Sequence, residues 1–349
     1  MREQENIQKR VSEIAKGPSK AKVTVSDIAR QAGVSKATVS RVLNSKAELV
    51  KGDTYQKVME AASLLGYQKS PSLPKSAERK PVLVLNIAGY ENIFYNKLIA
   101  GAASSALSHN CHLLVTASHV EGPALSSFLQ LLEDTSADGV IVMNTLPTDA
   151  LVQIRKLVPV VQCSEYNKES GFPFVTINNR RSAKMATEYL INSGSERIAM
   201  INGPTAFRYA RERQEGFLDA MNAAGLSIPR SWIVQLPEIN YDLAYSAICQ
   251  LLSNDAKPNA FFCVSDTLAA AALKAAIHFG YHVPKDIRIV GFDNTDASSM
   301  CTPSITTVSQ PSTQQGFTAC EKLINLINHP DAEVNSIFLE TELIVREST

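Results

Sequence analysis

The stretch VTVSDIARQAGVSKATVSRVLN, residues 23–44, sets short polar side chains and a few cations at helical spacing around one glycine. The chemistry open to such a set is the reading of a nucleic acid. Val25, Ile28, Ala29 and Ala32 line one apolar face of a first helix, with Thr24 or Ser26 as its cap. Gly33 ends that helix and allows the positive φ of a tight turn. Val34 is an apolar staple in the turn, and Ser35 caps a second helix, Lys36 to Leu43, with Val39 and Val42 facing inward. Two short helices joined in this way form a helix-turn-helix. The second helix of that motif enters the major groove with its first residues at base edges. Here these are Lys36, Ala37 and Thr38, while Ser40, Arg41 and Asn44 are placed for phosphates or for the domain's own caps. Ala37 offers only a methyl contact, for instance to a thymine methyl, and Lys36 either reads guanine or binds phosphate. A third helix, roughly 52–65, braces the pair through Val58, Ala61, Ala62 and Leu65.

Covalent chemistry has no comparable set. There is no Walker loop, no GxGxxG after the first strand and no G-x-S-x-G elbow. No nucleophile with an oriented base is visible, so no catalytic residue, cofactor or metal is assigned. The six histidines are scattered without metal spacing. The six cysteines form no CxxC pair and lie mostly in apolar runs such as FFCV, which reads as buried thiols in a reducing cytoplasm. The polar residues that do stand out sit at strand ends. Ser164 and Glu165 follow PVVQC, Asp266 lies between FFCV and a helix, and Asp293 lies in GFDN. Asp266 either caps that helix or accepts from a ligand; Glu165 is either a surface charge or a ligand group.

Elements that position these residues follow from length and pattern. At 349 residues and 45% hydrophobic content the chain is long enough for more than one core. Residues 1–80 carry a net charge of +8 and residues 81–349 a net charge of −8, as expected for one segment that faces a polyanion. No run of about 18 apolar residues exists, so no membrane span is expected. The N-terminus lacks the apolar stretch of a signal peptide, and the expected location is cytoplasmic. From Pro81 apolar runs alternate with helical stretches: 82–87, 112–115, 139–143, 159–163, 197–201, 259–264 and 287–291. Continuous runs of this kind read as parallel strands covered on both faces, in βαβ units. The break near 177–196 predicts two sheets, and PSITTVSQP (303–311) a crossover between them.

The segments DIARQAGVSKATVSRVLN and VMEAASLLGYQ closely resemble the headpiece of the LacI/GalR family of transcription regulators. The phrases SERIAMINGP, RYARERQEGFLDAM, VSDTLAAAALKAAIHFGYHVPKDIRIVGFDN and GFDNTDASSMCTPSITTVSQP resemble that family's periplasmic-binding-protein-like effector domain, over nearly all of 82–349. The resemblance implies an α/β protein with an all-α headpiece in front of two α/β lobes and a ligand cleft between them. Its parts are a flexible extension (1–22), the headpiece (23–67), a linker (68–81) and an effector-binding and dimerisation domain (82–349). The first lobe is expected over about 82–178 and 308–332, the second over about 179–307 and 333–349. By resemblance, Lys36 and Ala37 read bases. Arg211 points into the cleft, Phe94 and Tyr95 pack on a ligand ring, Tyr241 forms a second aromatic wall, and Ser265 faces the ligand.

Residues 68–81 depart from the family. Pro71 and Pro74 oppose a helix turn, and the usual Asn and Ala-Arg-x-Leu pattern are missing. Leu73, the one candidate minor-groove wedge, is out of register, so the linker reads as extended and basic. Aromatic faces with Arg and Asp beside them fit a ring bearing a sugar, which favours a nucleoside, with a plain sugar as the alternative; cytidine as that nucleoside is implied only by the family resemblance. Taken together, these features predict a homodimeric repressor that binds operator DNA and answers to a small effector. A sugar- or nucleoside-handling enzyme or a binding protein is the different-class alternative.

Overall fold

The computed structural model describes residues 25–43, 52–65, 79–118, 120 and 122–349. Thr24, Asn44, the extension 1–22 and linker residues 68–78 lie outside the described residues, as do the side chains of Ser26, Ala37, Ser40 and Arg41. The chain divides into two units, 1–79 and 80–349.

In the first unit α1 spans Val25–Ala32, α2 Lys36–Leu43 and α3 Gly52–Leu64. Ile28, Ala29, Val39, Val42, Val58, Ala61 and Ala62 are buried in one cluster, the face that the helical spacing predicts. Gly33 sits at φ +64°, where a side chain would be strained. The Ser35 hydroxyl accepts from the Thr38 N–H at 3.1 Å and so caps α2. Lys36 is exposed at the start of that helix.

The second unit holds two six-stranded sheets. The first is built from β1 (Val82–Asn86), β2 (His112–Thr116), β3 (Gly139–Val142), β4 (Val160–Cys163) and β5 (Phe174–Ile177). Its helices are α4 (Phe94–Ser108), α5 (Ala124–Asp134) and α6 (Thr148–Leu157). After β5 the chain enters the second lobe: α7 (Asn179–Asn192), β6 (Ile198–Asn202), α8 (Arg208–Ala223), β7 (Ile233–Gln235), α9 (Tyr241–Ser253) and β8 (Ala260–Cys263). It continues with α10 (Asp266–His278), β9 (Arg288–Asp293), α11 (Asp296–Met300) and β10 (Thr306–Ser309). Helix α12 (Ser312–Asn328) and β11 (Ile337–Leu339) return to the first lobe, and β12 (Glu342–Ile344) closes the second. Strand orders are β11-β5-β4-β3-β1-β2 and β12-β10-β9-β8-β6-β7, parallel throughout except for the β10–β12 pair.

This corrects the expected lobe limits. Ile337–Leu339 pair with β5, so the first lobe runs past 332. Val308 and Ser309 pair with β9 in the second sheet, so the return to the first lobe begins after them. Strands of three or four residues have too little pattern to declare their sheet; pairing decides it.

Helices cover both faces of the first sheet, and alternate residues of a strand feed opposite cores. Leu83 and Leu85 join one cluster while Val84 joins the other. Helices α4 and α12 cross at Gly101 and Gly316; a Cβ at Gly101 would collide with the Thr313 carbonyl, and one at Gly316 with that of Leu98. That crossing fixes α4, whose first turn reaches the cleft. Among the described residues no helix is long and apolar enough to cross a membrane.

Candidate functional site

In both sheets the strand order reverses beside the first strand, and such switch points open a crevice at the carboxyl ends. The two crevices face each other across a narrow cleft with a cavity volume of about 30 Å³. Its first-lobe wall is Asn92, Phe94, Tyr95, Ser164 and Glu165. Tyr209, Arg213, Ile239, Val264, Ser265, Asp293 and Gln310 form the opposite wall.

Phe94 and Tyr95 open α4 directly after the β1 loop, with Asn92 Oδ1 accepting the Phe94 N–H at 3.1 Å. Their rings meet edge to face at 5.4 Å. Burial, then the neighbouring Glu165 carboxylate, raises the Tyr95 pKa, so its hydroxyl stays protonated. Ser164 leaves β4 at φ +64°, a left-handed conformation that turns the chain across the cleft mouth.

The second lobe supplies charge. Arg213 is 5% exposed and tied into its own lobe. Its Nε donates to Asn179 Oδ1 at 2.9 Å and its Nη1 to the Val264 carbonyl at 2.6 Å. The guanidinium lies 3.5 Å over the Phe292 ring and 3.6 Å from Asp293. Asp293 ends β9 at φ +108° and accepts from Gln310 Nε2 at 2.6 Å. Burial dominates both partners. It lowers the Arg213 pKa and pushes the Asp293 carboxyl up to about 7, although Arg213 pulls the latter down. A carboxyl poised near neutrality beside a planar five-donor cation is suited to a ligand with adjacent hydroxyls.

Of the residues expected at a ligand, the structure brings together Phe94, Tyr95, Ser164, Glu165, Ser265 and Asp293. Ser265 also caps α10, accepting from the Leu268 N–H at 3.3 Å. Three expectations are corrected. Arg211 is exposed, with Nη1 on the carbonyls of Thr205 and Ala206, and Arg213 takes the cleft position. Two residues along a helix are about 200° apart, so both cannot share a face. The buried stripe Ala210, Arg213, Phe217, Ala220 and Met221 carried that signal in the sequence. Asp266 does not reach the cleft; fully buried, it accepts from the Thr295 N–H at 2.6 Å and from the Thr295 and Thr307 hydroxyls. It ties α10 to the loop after β9, and the capping role falls to Ser265. Tyr241 is 39% exposed and stacks on Tyr245 outside the cleft, whereas Ile239, two residues earlier, lines it. Gln310 also lines the cleft: the Thr- and Pro-rich PSITTVSQP contains strand β10, and Gln310 follows its end directly.

Residues 24–70 match the description "Bacterial regulatory proteins, lacI family", and residues 187–349 match "Periplasmic binding protein-like domain". The HTH-type transcriptional regulator RegA of Clostridium saccharobutylicum is 33% identical over 330 residues, covering 93% of this chain and 99% of that relative. The HTH-type transcriptional repressor CytR of Escherichia coli K12 is 31% identical, covering 93% and 96%. Among solved structures, a complex of the transcriptional regulator CelR with cellobiose superposes with a TM-score of 0.70 at 27% identity, over 94% of this chain and all of that one. The chain belongs to the lacI family of bacterial regulatory proteins. It is a DNA-binding transcriptional regulator with a ligand-binding domain.

Proposed function

We propose that this regulator is a repressor whose operator affinity is set by a nucleoside, cytidine being the first to test, held in the cleft between its lobes. The observation that carries the ligand class is the pairing of unlike walls. The aromatic pair Phe94 and Tyr95 faces the polar group Arg213, Asp293 and Gln310. A base stacks on the first while ribose hydroxyls reach the second. The resemblance to CytR supports repression. A sugar effector is the second reading, because Arg213 and Asp293 serve hydroxyls without needing a base, and CelR, a relative in fold, is described in complex with cellobiose.

A homodimer presents two headpieces to a two-fold operator. The DNA contacts fall to Lys36, Ala37 and Thr38 at base edges, with Thr24, Ser26, Ser35, Ser40, Arg41 and Asn44 as nearby caps and phosphate ligands. Closure around the effector changes headpiece placement, with a coupling on the order of 1–3 kcal/mol. The relatives RegA and CytR, both transcriptional regulators, support a regulatory role for the cleft.

Calorimetry with cytidine and with ribose, beside a gel shift on DNA upstream of the gene, tests this reading. Selective heat with cytidine and a cytidine-dependent change in the shift are expected. Binding of ribose alone would transfer the site to the sugar reading. A chain that shifts no DNA at moderate salt would overturn the operator assignment.

A further inference from the structure

Glu165 belongs to the first lobe but spends its carboxylate on the second. The Arg208 N–H donates to Oε2 at 2.7 Å and the Tyr209 N–H to Oε1 at 3.0 Å. The Thr145 hydroxyl, from its own lobe, donates to the same Oε2. These are the first amides of α8, and Phe207, at the capping position, makes no side-chain cap. A helix start left with free donors gains from a negative charge placed on them. The next residue repeats the contact: the Arg208 guanidinium lies 4.1 Å over the Tyr166 ring. On another part of the rim Lys97 Nζ, in α4, donates to the Asn294 carbonyl at 2.8 Å. Glu165 is 2% exposed, and three donors already serve its two oxygens, so it has little left to offer a ligand.

We propose that Glu165 is an inter-lobe latch, a positioning residue that caps α8 only when the lobes are closed. Helix α8 carries Tyr209 and Arg213 at i and i+4, so holding its first turn sets both on the cleft. Arg213 is anchored within its own lobe and is indifferent to closure; the Glu165 contact exists only across it. In an open cleft the carboxylate and both amides return to water, so the latch acts on the open–closed equilibrium and thus on how much closure an effector must supply. That consequence rests on the cleft being the effector site, but the latch itself does not.

Hydrogen exchange on the full chain, followed by mass spectrometry with no small molecule added, tests it. In Glu165→Ala the amides of 207–210 should exchange about ten-fold faster, the scale of a lost helix cap. Residues 94–97, the first turn of α4 in the other lobe, should quicken as well, while β8 stays protected. Glu165→Gln, which keeps an acceptor without the charge, should fall between. Acceleration confined to 207–210 would make Glu165 a local cap and overturn the latch, as would no change there. Should Glu165→Ala lose β8 protection, Thr145→Val decides. It removes only the hydroxyl that orients the carboxylate, and a weaker version of the two-lobe pattern is expected. No change at 94–97 in that variant overturns the proposal. A wrong effector class leaves every one of these results untouched.

Discussion

The two lobes repeat one plan, with central strand orders β5-β4-β3-β1-β2 and β10-β9-β8-β6-β7. The matching strands β4 and β9 even finish alike, with a residue of positive φ, Ser164 just after β4 and Asp293 at the end of β9. What they deliver differs. The first lobe ends in an aromatic pair and a carboxylate already committed to helix amides. The second ends in a buried ion pair held by its own backbone and amide side chains. A shared fold therefore fixes where strand ends converge, while single side chains decide which wall supplies polarity and which supplies shape. Buried charge is tolerated in the second lobe because each partner is hydrogen-bonded as well as paired.

The largest expected effect tests that division. Arg213→Met leaves Asp293 in the cleft wall without its cation, and breaking such a pair costs about 3–5 kcal/mol, read as a lower urea midpoint. Arg211→Ala, on the exposed face, should stay within about 0.5 kcal/mol. Equal losses would erase the distinction between the two arginines.

Next comes Asp293. Hydrogen bonds to a charged group are worth roughly 1.5–3 kcal/mol, so Asp293→Ala should weaken the effector about ten- to a hundred-fold by calorimetry while operator binding persists. The same residue should make affinity depend on pH. Its carboxyl titrates near about 7, and only the ionised form is a full acceptor for hydroxyls, so affinity should rise as pH passes upward through that value. Stability runs the other way. A folded-state pKa raised above the unfolded one contributes stability that is full at acidic pH and is lost as pH rises through about 7. Asp293→Asn should flatten both curves; an unchanged affinity profile would show that Asp293 does not meet the ligand.

The first lobe should respond more selectively. Tyr95→Ala removes a ring worth about 0.5–1.5 kcal/mol beyond its area in an aromatic contact, so cytidine should suffer more than ribose. Equal losses would reduce this wall to packing. Smallest for the cleft is the headpiece. Arg41→Ala should leave effector heats unchanged and lower the slope of operator affinity against salt by about one unit, measured by titrating binding at several salt concentrations.

Much of this was legible in the sequence because it is periodic or local. The headpiece core from Ile28 to Ala62, the turn at Gly33 and the Ser35 cap follow from spacing within a few residues, where backbone geometry leaves little choice. The long apolar runs declared the central strands for the same reason, and Phe94, Tyr95, Ser164, Glu165, Ser265 and Asp293 do converge on one cleft. Only the tertiary structure could decide the rest. Which of Arg211 and Arg213 faces inward depends on the phase of α8 against its sheet. Whether Asp266 meets ligand or protein depends on Thr295 and Thr307, which lie 29 and 41 residues away. That Glu165 caps a helix of the opposite lobe depends on how two lobes, linked three times by the chain, close on each other. These are contacts between distant segments, and a side chain's partner across such a distance is set by packing, about which its own neighbours in sequence carry no information.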